Sequence, residues 1–80
     1  MTDEELFAGL TDAARGTGVT GPITAQTRLA EDLALDSLRL LEMVVAVEDR
    51  FGICFDESDE AGIATGADLA AAVRRRLAAR

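Results

Sequence analysis

The chain contains no histidine, lysine, tryptophan or tyrosine, and only one cysteine and one proline. Without histidine it lacks the commonest general base, and without lysine the amine that forms Schiff bases. A self-contained active site is hard to build from the side chains that remain, so the composition points to a protein that other proteins act upon. One cysteine allows no intrachain disulfide, and there is no Cys/His set to hold zinc. Cys54 lies between Ile53 and Phe55, with no histidine anywhere to activate it, and is expected to be a packing residue. No run approaches the roughly 20 apolar residues needed to cross a bilayer. The first residues, Met1-Thr2-Asp3-Glu4-Glu5, are acidic where a secretory signal would be basic. The expectation is a soluble, cytoplasmic monomer with no membrane partner. Its 80 residues are expected to form a single domain, 1–80, of modest stability, because so short a chain buries only about 60% of its unfolded surface.

What the chain does have is acid, unevenly placed. The net charge is −7. Residues 31–60 hold ten acids (Glu31, Asp32, Asp36, Glu42, Glu48, Asp49, Asp56, Glu57, Asp59 and Glu60) against Arg39 and Arg50, a local −8. The remaining five acids and six arginines leave +1. A nucleic acid needs a basic footprint, so it is excluded as a partner. A basic patch on another protein fits the excess, although acids also simply keep a small domain soluble. Arg74, Arg75, Arg76 and Arg80 cluster at the other end, where they complement the negative end of a last helix.

Apolar spacing predicts helices and no strands. Thr2-Asp3-Glu4-Glu5 reads as a capping box, and Leu6, Phe7, Leu10 and Ala14 follow at helical intervals, giving a helix over 3–15 that ends at Gly16 and Gly18. Residues 16–36 form a long connection, pinned by Val19, Ile23, Leu29 and Leu33, with a turn of helix over 29–33. From Ser37 to Phe51, Leu40, Met43, Val44, Val47 and Phe51 share one stripe for the core. Leu38, Leu41 and Val45 form a second stripe, beside Glu42, Glu48 and Asp49. That stripe is either a docking surface or a face packed on the loop or another helix. Gly52 ends the helix. Residues 56–64 allow a turn or two, and Thr65-Gly66-Ala67-Asp68 opens a last helix over 66–78 with Leu69, Val73 and Leu77 inward. The fold class is all-α, a four-helix bundle of three main helices and one short one, with a long loop between the first two.

The acids of 56–62 partly match a calcium loop. That loop needs glycine at its sixth place and glutamate at its twelfth. Ala61 and Ala67 stand there, so the match fails.

The informative segment is Glu31-Asp32-Leu33-Ala34-Leu35-Asp36-Ser37-Leu38. It puts a serine at the start of a helix, where its side chain stays exposed on an anchored backbone. A phosphate ester on that hydroxyl would sit at the positive end of the helix, near free N–H groups. The alternative is that Ser37 or Asp36 is only the helix cap.

The run Leu29 to Leu38, followed by a helix ending at Phe51-Gly52-Ile53, resembles the acyl carrier protein family, in its discrete form. The resemblance spans about 3–78, strongest at Glu31-Asp32-Leu33, Asp36-Ser37-Leu38, Glu48 with Phe51, Ile63 and Thr65. It implies that a phosphopantetheinyl transferase esterifies Ser37, between Asp36 and Leu38, with 4'-phosphopantetheine from coenzyme A. The terminal thiol then holds an acyl group as a thioester. It implies that Leu38, Leu41 and Val45 are apolar contacts for loading, synthase and tailoring enzymes. Asp36, Glu42, Glu48 and Asp49 would meet basic docking patches on them. Met43, Val47, Ile63 and Leu69 would line an acyl pocket. The chain departs from the family pattern at Ala34, where glycine is usual, and at Arg39, where an acid is common. Asp56 stands where proline is common, and Gly62 and Gly66 replace larger residues. These departures favour a specialised bacterial pathway, polyketide or related secondary metabolism, over housekeeping fatty-acid synthesis. A free-standing peptidyl or aryl carrier, loaded by an adenylating enzyme, and a carrier-like interaction module that never receives the arm are the alternatives.

Overall fold

Each main helix starts where a side chain caps it. In the computed structural model, which describes residues 1–79, α1 (Asp3–Arg15) opens on a reciprocal capping box. The Thr2 hydroxyl accepts from the Glu5 N–H at 3.2 Å, and the Glu5 carboxylate accepts from the Thr2 N–H at 3.0 Å. The long connection carries a four-residue helix, α2 (Leu29–Asp32), within the turn expected there. The helix that follows, α3 (Ser37–Phe51), buries Met43, Val44 and Val47. The short α4 (Glu57–Ala61) precedes α5 (Gly66–Ala78), which opens on the Thr65–Asp68 box. The fold is all-α, with three main helices. Its core is a cluster drawn from α1, α3, α5 and the connection, including Leu6, Leu10, Leu29, Met43, Val47, Leu69 and Val73. No described helix is long and apolar enough to cross a membrane.

The long connection is held by specific anchors. Val19, Ile23 and Leu29 are buried, as is Leu35, while Leu33 is half-buried. The Ile23 N–H donates to the Thr11 hydroxyl at 3.0 Å. The connection also pairs with the start of α5. Gly66 N–H donates to the Thr27 carbonyl at 2.8 Å, Leu29 N–H to the Ala64 carbonyl at 3.0 Å and Ala67 N–H to the Ala25 carbonyl at 3.0 Å. Gly66 is where the two backbones come closest, since a Cβ there would lie 1.8 Å from the Thr24 carbonyl oxygen.

Three helices end in the same way. The N–H of Val19, Leu35 and Ile53 reaches back to the carbonyl of Ala14, Ala30 and Glu48 respectively. Each then sends the apolar side chain of that residue into the core. The preceding residue must take a left-handed conformation. Gly18 and Gly52 do so without strain, at φ 88° and 66°. After α2 the same place is held by Ala34, at φ 53°.

The link after α3 corrects one expectation. Cys54 is exposed, not a packing residue. Ile53 is buried and Phe55 is half-buried against the core. In this non-helical link successive side chains point to opposite sides, so the residue between two inward ones faces water.

A cluster of charges fastens α4 to α5. The Asp59 side chain is only 5% exposed and accepts from Arg76 Nε at 2.6 Å and Arg75 Nη2 at 3.2 Å. Arg76 Nη2 also reaches the Asp56 carboxylate at 2.8 Å. Asp56 and Asp59 cap α4 reciprocally, a box absent from the sequence expectations. Arg74 pairs with Asp3 across to α1. Arg80 lies outside the described residues. The arginines therefore act as tertiary ties as well as partners for the end of α5.

Replacing Ala34 with glycine removes a left-handed alanine, a relief of roughly 1–2 kcal/mol. The more flexible unfolded chain offsets about 0.4–1 kcal/mol of that. With both ranges at their middle, a net of about 0.8 kcal/mol, Ala34→Gly is expected to raise Tm by roughly 3–6 °C for a domain of this size, read by thermal melting. A lower Tm would show that the turn carries no strain.

Asp59 is held below the ordinary carboxylate value by the Asp56 N–H first and the two guanidiniums after it. Asp56 is lowered to about 2, chiefly by the Asp59 N–H. An unfolded aspartate titrates near 3.8, so the stabilisation is complete above that pH and fades as pH falls towards 2. Asp59→Asn should therefore lower Tm at neutral pH. Its deficit against the parent should shrink as pH falls below about 4. A deficit that stays constant through that window rules out the assignment.

Candidate functional site

The start of α3 is positioned from both sides. Upstream, the turn after α2 buries Leu35 and fixes the register of the two residues that follow. Asp36 is extended, and its carboxylate accepts from the Arg39 N–H at 2.8 Å. Of the two residues that the sequence left as candidate caps, Asp36 is the cap. Ser37 is the first helical residue. Its side chain is exposed, and its hydroxyl makes no hydrogen bond with a described residue.

This separation of roles makes the serine chemically available. The N–H groups of Ser37 and Leu38 belong to the first helical turn and have no carbonyl partner within the helix. They carry the positive end of the α3 dipole. A phosphodiester on Ser37 Oγ would find donors of the right sign beside it, while the Asp36 carboxylate is already engaged with the Arg39 amide. The residues present fit such a group. Arg39 reaches the other way, donating from Nη2 to the Thr17 carbonyl at 3.3 Å, and so ties the long connection to this end of α3.

The second stripe of α3 is uncovered. Leu38 is 64% exposed, Leu41 49% and Val45 47%, and with Met1 they are the exposed large hydrophobic residues of the described chain. Glu42 and Asp49 are exposed on the same helix and make no ion pair with a described residue. The packing alternative for this stripe is thereby removed. Glu48 stands apart from the group. It is half-buried, and its Oε2 accepts from the Phe55 N–H at 2.7 Å, holding the link after α3.

Beside the serine, α3 and the α4 region enclose a cleft of about 190 Å³, lined by Ser37, Leu40, Leu41, Val44, Glu60 and Ile63. Of the residues expected around an acyl pocket, Ile63 lines this cleft. Met43, Val47 and Leu69 are fully buried in the core instead. Sequence reasoning missed Leu40, Val44 and Glu60 as lining residues. The first two were legible only as core positions, and no pattern in the chain brings Glu60 to Ser37. The cleft is small for a ligand site. Typical small-molecule pockets start near about 300 Å³.

Residues 5–77 match a protein family described as "Phosphopantetheine attachment site". The chain is 34% identical over 80 residues to an acyl carrier protein of an Exiguobacterium species, covering 96% of this chain and all of the relative. It is 32% identical over 77 residues to the meromycolate extension acyl carrier protein of Mycobacterium bovis, covering 94% of this chain and 67% of that one. Acyl carrier protein 3 of Ralstonia nicotianae is 40% identical over 58 residues, 72% of this chain and 67% of the relative. A helical fold that frees a serine at a helix start and a match over nearly its whole length lead to one assignment: the chain belongs to the acyl carrier protein family, non-catalytic proteins whose cargo rides on a covalently attached 4'-phosphopantetheine.

Proposed function

We propose that Ser37 Oγ is the attachment atom, and that the chain presents acyl or polyketide-type thioesters to a series of enzymes in a specialised bacterial pathway. The observation that carries the first part is the uncapped, exposed hydroxyl of Ser37 beside a cap supplied wholly by Asp36. When bound, the arm supplies a terminal thiol that holds cargo as a thioester. The chain's own part is mechanical and electrostatic. The start of α3 holds the ester's anion with the N–H groups of Ser37 and Leu38. The exposed face of Leu38, Leu41 and Val45 gives partners an apolar contact, and Asp36, Glu42 and Asp49 give basic patches a field to follow. The phosphopantetheinyl transferase, loading enzymes and downstream synthase or tailoring enzymes would use this one face in turn. Glu48, engaged with Phe55, contributes mainly by shaping the helix end. The specialised pathway is supported by Arg39 and Ala34 at the arm's base. It is supported too by relatives named for meromycolate extension that are about as similar to the chain as a generically named acyl carrier protein.

Incubation with coenzyme A and a promiscuous phosphopantetheinyl transferase should add one phosphopantetheinyl group to the intact mass. Ser37→Ala should abolish the gain while leaving the thermal melt unchanged, because the side chain is exposed and unbonded. An unmodified parent chain would assign the fold to a carrier-like interaction module. Weighing the thioester trapped in the native host would then name the cargo. An amino or aryl acid there would replace the polyketide-type reading with a peptidyl or aryl carrier.

Docking is tested on the same reaction. Leu41→Ala and Glu42→Arg should each lower kcat/KM of the transferase about tenfold, the effect of losing roughly 1.4 kcal/mol at an interface hot spot. Arg15→Ala, on α1, should leave the rate unchanged. Equal rates for all three variants would remove α3 as the recognition face.

A further inference from the structure

The short helix that walls the cleft is held in an unusual way. α4 buries no apolar side chain of its own, and the one residue it buries is Asp59. Its other members, Glu57, Ser58, Glu60 and Ala61, are exposed. What fastens α4 to α5 is charge: Asp59 to Arg75 and Arg76, and Asp56 to Arg76. Downstream of it only Ile63 reaches the core cluster, followed by the Thr65 cap of α5. The same segment supplies Glu60 and Ile63 to the cleft beside Ser37. One wall of that cleft is therefore a short helix whose own seat is an ion-pair network, with apolar contacts to the core only on either side of it, at Phe55 and Ile63.

We propose that the Asp59–Arg75–Arg76 network is a latch that sets how much cargo the cleft admits: closed, it limits the cleft to short groups, and released, it lets α4 move off α3 so that longer chains enter between Val44 and Ile63. The inference deepens the carrier reading and rests on it for the cargo. The latch residues act through α4 and do not touch the arm, so they are specificity-determining by position. Directional charge-assisted bonds suit this task. They hold one geometry firmly, yet their release exposes charged groups that water solvates, whereas pulling an apolar side chain from the core exposes surface at a steady cost per area. The closed cleft of about 190 Å³ is the state described here.

The test compares parent, Arg76→Gln and Arg76→Lys as full-length chains. Amide hydrogen exchange on the unmodified proteins comes first. In Arg76→Gln, the α4-region amides of Glu60, Gly62 and Ile63 should exchange about tenfold faster, the effect of losing a hydrogen bond between charged groups. Amides of α1 and of the middle of α3 should keep their rates. Arg76→Lys, which retains the charge, should recover part of the protection. Each protein is then loaded with acetyl or octanoyl phosphopantetheine from the matching coenzyme A thioester. The octanoyl-minus-acetyl difference in amide chemical shift at Val44 and Ile63 should be larger in Arg76→Gln than in the parent. Faster exchange spread evenly over all helices would mean general destabilisation, and would overturn the latch. So would α4 amides that do not respond, or octanoyl shifts that match between parent and variant. A chain that takes up no arm fails the carrier reading, whereas the exchange experiment needs no arm and judges the latch by itself.

Discussion

The arrangement turns on one hydrogen bond, from the Arg39 amide to the Asp36 carboxylate. A serine at a helix start is ordinarily drawn into capping, because its hydroxyl can satisfy one of the free N–H groups. Here the residue before it does that work. Asp36 can do so only because its backbone is already extended, and it is extended because Leu35 is buried immediately upstream. That burial in turn requires the left-handed residue at Ala34, which closes α2 and turns the chain. A strained alanine, a buried leucine and a capping aspartate are thus consecutive steps that leave one hydroxyl unengaged.

The same helix serves two surfaces without conflict because fifteen residues give it about four turns. Met43 and Val47 face the core, and Leu38, Leu41 and Val45 face water. Between the two faces run Leu40 and Val44, which line the cleft next to Ser37. On the carrier reading proposed above, cargo, partner and core would meet on one helix. A partner on the outer face of α3 would lie close to both Ser37 Oγ and the mouth of the cleft.

Periodicity made the main helices legible in the chain, and so did the capping boxes at Thr2 and Thr65. Spacing alone also separated the exposed stripe of α3 from its core stripe. Serine at the helix start was legible as a position, while its freedom from capping was not, since Ser37 and Asp36 are equally good caps by residue type. The cleft escaped for a different reason. Its far wall is placed by ion pairs between residues sixteen to twenty apart, Asp59 with Arg75 and Arg76 and Asp56 with Arg76. Charged residues carry no periodic signal for such pairing. Cys54 was misjudged because its neighbours are apolar, and outside a helix that neighbourhood alternates sides. Leu35 was overlooked as an anchor because only the turn at Ala34 sends it inward.

Charge shows the same contrast between composition and placement. Ten acids crowd residues 31–60, yet they are not equally available to a partner. Glu31 and Asp32 are paired with Arg28, and Asp56 and Asp59 with arginines of α5. Asp36 and Glu48 bond only to backbone N–H groups, which leaves their charge in place. The side chains of Glu42, Asp49, Glu57 and Glu60 make no hydrogen bond or ion pair with a described residue. Arginines from outside the segment thus offset only part of the charge at its two ends, Arg28 against two acids and Arg75 with Arg76 against two of four, while Arg39 and Arg50 stand among the acids of α3. Long-range attraction raises encounter rates most when the field is focused where the contact must form. What a basic patch would meet is set by which carboxylates stay unpaired, Glu42 and Asp49 on α3 with Glu57 and Glu60 on α4, rather than by the number of acids in the segment.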